Sequence, residues 1–176
     1  AGEPDVKDLG DAAKGYSGLV ATGDGGKILD DVKKFVHDKN QGTGPIEELN
    51  TSLYNRGLVS AALAVEGVRT AQQRFGKGKV MDGEQIRWGL ENLSMDQKRL
   101  IALKLDTIMK PLSTSCFDHE GSRSARVHTW DGKKWNVVTD WIDADESIIK
   151  PMVRQYADKY ASDKKLTRRT PADCQS

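Results

Sequence analysis

LYNRGLVSAALAVEGVRTAQQRF, residues 53–75, is the stretch around which the rest of the chain has to be organised. Apolar side chains fall at Leu58, Ala61, Ala62, Val65, Val68 and Phe75, with Arg56, Glu66, Arg69, Gln73 and Arg74 mostly between them. Spacings of three and four, kept over several turns, describe a helix with one buried face. No proline interrupts it, and Gly76 follows directly as a C-terminal stop. At ~1.5 Å per residue the helix runs roughly 33 Å, the width of a small domain. Shorter elements on either side need a partner of that length, so the plain reading of this helix is structural.

Upstream, residues 1–14 are acidic and turn-like, and KGYSGLVAT (Lys14–Thr22) reads as a short buried strand broken by Asp24-Gly25-Gly26. In ILDDVKKFVHDK, the residues Ile28, Leu29, Val32, Phe35 and Val36 share a helical face, and His37 sits by the solvated one. Downstream, GKGKVMDG (Gly76–Gly83) is a connector without the GxxxxGK[ST] pattern of a phosphate loop. Asp82 with Gln85 forms the capping box of a helix carrying Ile86, Leu90 and Leu93. Ser94 with Gln97 is expected to cap the next helix, through Leu100, Ile101, Leu103 and Leu105. Gly89 costs the first of these about 1 kcal/mol in helix propensity.

Residues 111–124 are irregular, and Asp118, His119 and Glu120 invite a metal or acid–base reading. Adjacent loop residues rarely converge on one ion, and His128 is the only other candidate nearby, so no metal site is assigned. ARVHTW and KKWNVVTDW flank Asp131-Gly132, a dipeptide favoured in tight hairpins. Trp130, Trp135 and Trp141 give the hairpin aromatic weight, but it lacks the basic stripe of a nucleic-acid surface. A final helix begins between Asp145 and Pro151, with the proline in its first turn, and carries Ile149, Met152, Val153, Tyr156 and Tyr160 on one stripe. The class is α/β with about three visible strands, fewer than an independent doubly wound sheet normally has.

The 176 residues, 37% hydrophobic and 30% charged, suit one domain or two small lobes of an ordinary folded protein. The net charge of +1 suggests neither nucleic acid nor an anionic membrane as partner. No apolar run approaches the ~20 residues of a membrane span. The opening AGEPDVKDLGD has no signal-peptide pattern, so the protein is expected to be cytosolic or to have lost a leader. Cys116 and Cys174 belong to no CxxC motif, and composition leaves two free thiols and one disulfide equally open.

The ordered set GDAAKGYSGL, LYNRGLVSAALAVEGVRTAQQRFG, DGEQIRWGLENL, STSCFDHEG and RVHTWDGKKWNVVTDW resembles the C-terminal part of a known family. This is the branched-chain amino acid (Leu/Ile/Val-binding, type I) class of periplasmic substrate-binding proteins of ABC transporters. The resemblance covers essentially the whole chain, though no single motif carries it. It implies portions of two α/β lobes that close on a small ligand, with a C-terminal β-hairpin and helix and no enzymatic activity. Residues 1–22 would end the second lobe's first pass, 23–119 would belong to the first lobe, and 120–176 would finish the second. The first lobe's opening strands, with the loops that usually grip the ligand's carboxylate, would lie upstream of Ala1. The chain would then fold as an incomplete pair of lobes, meet a missing N-terminal half, or exchange elements with its own copies.

The resemblance further implies a periplasmic location, a disulfide between Cys116 and Cys174, ABC permease subunits as partners, and no cofactor or metal. The ligand would be an amino acid or a similar aromatic or aliphatic carboxylate. Glu3 falls where similar proteins set an acidic residue against the α-ammonium. Tyr54 falls where they put an aromatic residue on the cleft wall, and Asn55 and Arg56 flank it. For each of these a structural reading stands beside the functional one: a terminal residue for Glu3, core packing for Tyr54. Two other functions compete. One is a truncated, self-associating half-module that binds nothing. The other is a hydrolase using Asp118, His119 and Glu120, which no nucleophile elbow or metal motif supports.

Overall fold

The computed structural model describes residues 2–167 and 169–174. It divides into two compact units, one ending at Ile142 and the other starting at Asp143. In the first unit, α2 (Ser52–Phe75) is the expected long helix, capped by the Thr51 hydroxyl and closed by Gly76. Its buried face is turned from the one that apolar spacing predicts. Val65 is 58% exposed, whereas Glu66, Gly67 and Ala71 are buried with Asn55. Two contacts set that rotation. Glu66 is covered because Arg99 clasps it with Nε–Oε2 at 2.8 Å and Nη2–Oε1 at 2.5 Å. Gly67 is covered because α3 (Gly83–Glu91) crosses there, so closely that a β-carbon on Gly89 would lie 2.1 Å from the Gly67 carbonyl oxygen. The glycine that looked like a defect in α3 is what lets the two helices meet.

The Asp82–Gln85 capping box forms as expected. The next one does not. Asp96, not Ser94, caps α4 (Gln97–Ala102), its carboxylate accepting from the Arg99 N–H at 2.7 Å. Ser94 is drawn instead into β2 (Ser94–Met95), which pairs antiparallel with β3 (Leu112–Ser113). The helix also stops before Leu103 and Leu105, because Lys104 takes a left-handed φ of 59°. Met95, Leu100, Leu105 and Met109 form the main core, against which Leu58, Val59, Ala62 and Leu63 of α2 and Ile28 of α1 (Lys27–Phe35) pack.

The remaining strands build one open sheet in the order β1 (Ser17–Val20), β4 (Ser124–Trp130), β5 (Trp135–Val137), with β6 (Ile142–Asp143) beside β4. β1 is not the buried strand expected: Val20 is buried, but Leu19 is 67% exposed. The hairpin is looser than a two-residue Asp-Gly turn. Trp130 pairs with Trp135, leaving a loop of Asp131, Gly132, Lys133 and Lys134. Asp131 organises that loop, its carboxylate accepting from the Lys133 and Lys134 N–H groups and the Asn136 amide at 2.8, 2.9 and 2.8 Å. These bonds pull its pKa down to about 2. Val6, Ala13 and Trp130 make a second small core with Trp135.

The second unit contains α5 (Glu146–Lys164), capped by Asp145. Pro151 lies in its second turn rather than its first, where it removes one backbone bond. The Ile149, Met152, Val153, Tyr156 and Tyr160 stripe is present, but no residue of α5 is buried. Cys116 and Cys174 form a disulfide. The class is mixed α/β with open sheets. Among the described residues no helix is long and apolar enough to cross a membrane.

Candidate functional site

Three loops of the first unit converge on a cleft of about 380 Å³. The first follows β1. Thr22 is buried there, and Gly23 runs so close to the chain that a β-carbon would lie 2.0 Å from the Thr107 carbonyl oxygen. The Gly23 N–H donates to the Ile108 carbonyl at 2.6 Å. The second loop leads into α2. Asn55, 1% exposed, donates from its amide to Gly23 O at 3.1 Å and to Asn50 Oδ1 at 3.0 Å. Asn50 has a left-handed φ of 72°, and its Oδ1 also accepts from the Gly25 N–H at 2.7 Å. These bonds knit the two loops together before any ligand arrives. Glu3 reaches the same place, its Oε1 accepting from the Ser52 N–H at 3.0 Å, where the first turn of α2 favours an anion.

The hairpin supplies the third wall through His128, Lys133, Lys134, Trp135, Asn136 and Val137. His128 is 2% exposed and stacks on Trp135 with ring centres 3.8 Å apart and planes 12° from parallel. Trp130 and Tyr16 set their edges against the same indole. Burial lowers the pKa of His128 below that of an ordinary imidazole.

Five polar atoms of this lining are buried without a hydrogen-bond partner among the described residues: Glu3 Oε2, Thr22 Oγ1, Asn55 Oδ1, His128 Nε2 and Trp135 Nε1. Buried polar atoms are ordinarily paired, and each orphan is costly. Their convergence on one opening equips it to hold a small polar molecule by hydrogen bonds.

The structure brings Glu3 and Asn55 of the sequence candidates into this cleft. Tyr54 and Arg56 lie outside its lining. Tyr54 is half-buried with its N–H on the Thr51 hydroxyl, and Arg56 is exposed with its carbonyl taken by Ser60. Thr22, His128 and Trp135 are not among the ligand contacts the sequence suggests, although the alternation His128-x-Trp130 and the tryptophan at Trp135 put the latter two on a hairpin. Asp118, His119 and Glu120 do not converge on one point. Asp118 and Glu120 hold Arg123 at 2.5 and 2.7 Å, and His119 faces Glu91 at 3.4 Å. No group of residues among those described could hold a metal ion.

No protein-family model matches the chain, and no curated protein matches it significantly. Two solved structures do. One, described as an ABC transporter permease from the Pseudomonas fluorescens group, is 38% identical with a TM-score of 0.89, over 97% of this chain and 42% of that one. The other is a branched-chain amino acid ABC transporter from Thermus thermophilus with bound valine. It is 18% identical with a TM-score of 0.63, over 85% of this chain and 39% of that one, a likeness of fold alone. The chain spans about two fifths of either structure. Over nearly its whole length, then, it is similar to part of an ABC transporter component.

Proposed function

We propose that this chain carries part of the ligand-binding cleft of an ABC uptake system for an amino acid or a similar small carboxylate. The observation that carries this reading is the cleft itself, with five buried polar atoms, unpartnered among the described residues, contributed by the N-terminal turn, the segment after β1, the start of α2 and the hairpin strands. Glu3 Oε2 would take the ligand's ammonium, and Thr22, Asn55, His128 and Trp135 its remaining polar atoms. Residues 1–22 and 120–176 would belong to one lobe and 23–119 to the other, and lobe closure would shift an open–closed population without chemistry. The protein would work in the periplasm and hand its ligand to permease subunits. Titration calorimetry with a panel of amino acids and aromatic acids, on the protein as its own cell makes it, tests this. Saturable heat that Glu3→Gln weakens is expected; silence across the panel would refute the reading.

The exposed apolar stripe of α5 favours a second reading, a half-module that associates with its own copies. The native mass decides that point: a strictly monomeric species ends it.

A further inference from the structure

The two ends of the cleft differ in charge. At the buried end, both N–H groups of the Asn55 amide are spent on Gly23 O and Asn50 Oδ1, so only its carbonyl oxygen is left to meet a ligand. One oxygen of Glu3 is likewise spent on Ser52, and the other is unpartnered. That end offers acceptors, one of them a carboxylate oxygen, and suits a cationic, donor-rich group. At the other end the hairpin loop brings Lys133 and Lys134 into the lining. Their backbone N–H groups each donate to the Asp131 carboxylate, which the Asn136 amide also holds. Lys33, Lys104, Lys150 and Lys159 each pair with a carboxylate, but neither cleft lysine makes an ion pair among the described residues. Asp24 and Glu47 share the lining, and Asp131 acts on Lys134 through space, yet no carboxylate closes on either ammonium.

Register fixes the separation. Val137 pairs with His128, and Lys134 stands three residues before Val137. At ~3.4 Å per residue that places the Lys134 backbone roughly 10 Å along the hairpin from His128, a gap that its four-carbon stem can shorten. A ligand touching both His128 and the Lys134 ammonium has functional groups several bonds apart.

We infer that Lys133 and Lys134 determine specificity, selecting an amino compound that carries a second, acidic group at its far end, of the aspartate or glutamate class. The inference rests on the amino-acid reading above. Calorimetry on the protein as its own cell makes it would use L-glutamate, L-glutamine, L-aspartate, L-asparagine and L-valine as probes. Both lysines are exposed, so the expected preference of acid over amide is about fivefold at low salt. In the variant Lys133→Gln/Lys134→Gln the ratio should fall to near one with the melting temperature unchanged. Amides that bind as well as the acids, or a ratio that survives in the variant, would overturn the inference while leaving the amino-acid reading intact. Silence for all five probes would overturn both.

Discussion

The α2–α3 crossing and the cleft bury polar groups in opposite ways. At the crossing, Glu66 is 9% exposed and Glu91 5%, and both are answered from within the chain. Arg99 holds Glu66 through two bonds with Arg69 alongside, while Arg87 holds Glu91 at 2.8 Å. In the cleft, Thr22, Asn55 and His128 are buried as deeply, yet each keeps an atom with no partner among the described residues. Burial alone therefore does not separate scaffold from site. What separates them is whether the chain itself completes the hydrogen bonding.

The strongest way to break this contrast is at Gly89. Helix propensity favours alanine over glycine by ~1 kcal/mol, so Gly89→Ala would stabilise a helix that packed against nothing. Here the new β-carbon meets the Gly67 carbonyl oxygen at 2.1 Å and the helices must part. A loss of about 2 kcal/mol or more is expected, read as a fall in the denaturant midpoint. A gain would mean that the crossing is slack.

Glu66→Gln comes next. It keeps the shape and removes the charge that Arg99 and Arg69 face. A loss of about 1–2 kcal/mol is expected, less than for a fully buried pair because Arg99 is 28% exposed. Replacing the pair together, Glu66→Leu with Arg99→Met, should recover most of it, and failure to do so would point to a role beyond pairing. Thr22→Val in the cleft should behave differently. Its hydroxyl bonds nothing within the described residues, so stability should stay within about 0.5 kcal/mol of wild type or rise. Ligand affinity should drop. A large loss of stability would reassign Thr22 to the scaffold.

How much of this was legible in the sequence follows from the distance over which each signal acts. α2, its glycine stop and the Asp82–Gln85 box are local patterns, and all three stand. The rotation of α2 was not local. Apolar spacing put Val65 inside and Glu66 outside, but Arg99, 33 residues away, reversed the two. Ser94 and Asp96 both carry a capping side chain, and the choice was made by strand pairing with Leu112–Ser113. In the hairpin, the four-residue loop sets Trp130 opposite Trp135, so aromatic packing decided the register over turn chemistry. For the cleft, Glu3 could be placed only through a family resemblance. Thr22 could not be picked out at all, and His128 only as a candidate metal ligand, because an orphaned hydrogen bond exists only once the chain has folded.

The smallest effect is also the sharpest test of that last point. Burial holds the folded pKa of His128 below the ordinary value of 6.5, against the opposing pull of the Glu3 and Asp24 carboxylates. Above 6.5 the imidazole is neutral folded and unfolded alike, and contributes no pH dependence. Below it the unfolded chain takes up the proton first, so stability should fall with pH until the folded value is reached. To isolate this one group, the measurement is a difference between wild type and His128→Phe, which keeps a ring against Trp135 and removes the proton. Chemical denaturation at half-unit steps from pH 7.5 to 5 should show the wild type losing ground to the variant only below about 6.5. Adding a ligand that engages Nε2 should steepen or flatten that difference, whereas a ligand bound elsewhere should leave it unchanged. A difference that is flat without ligand would mean that the imidazole can be charged where it stands, and that its unpartnered nitrogen is already satisfied by water.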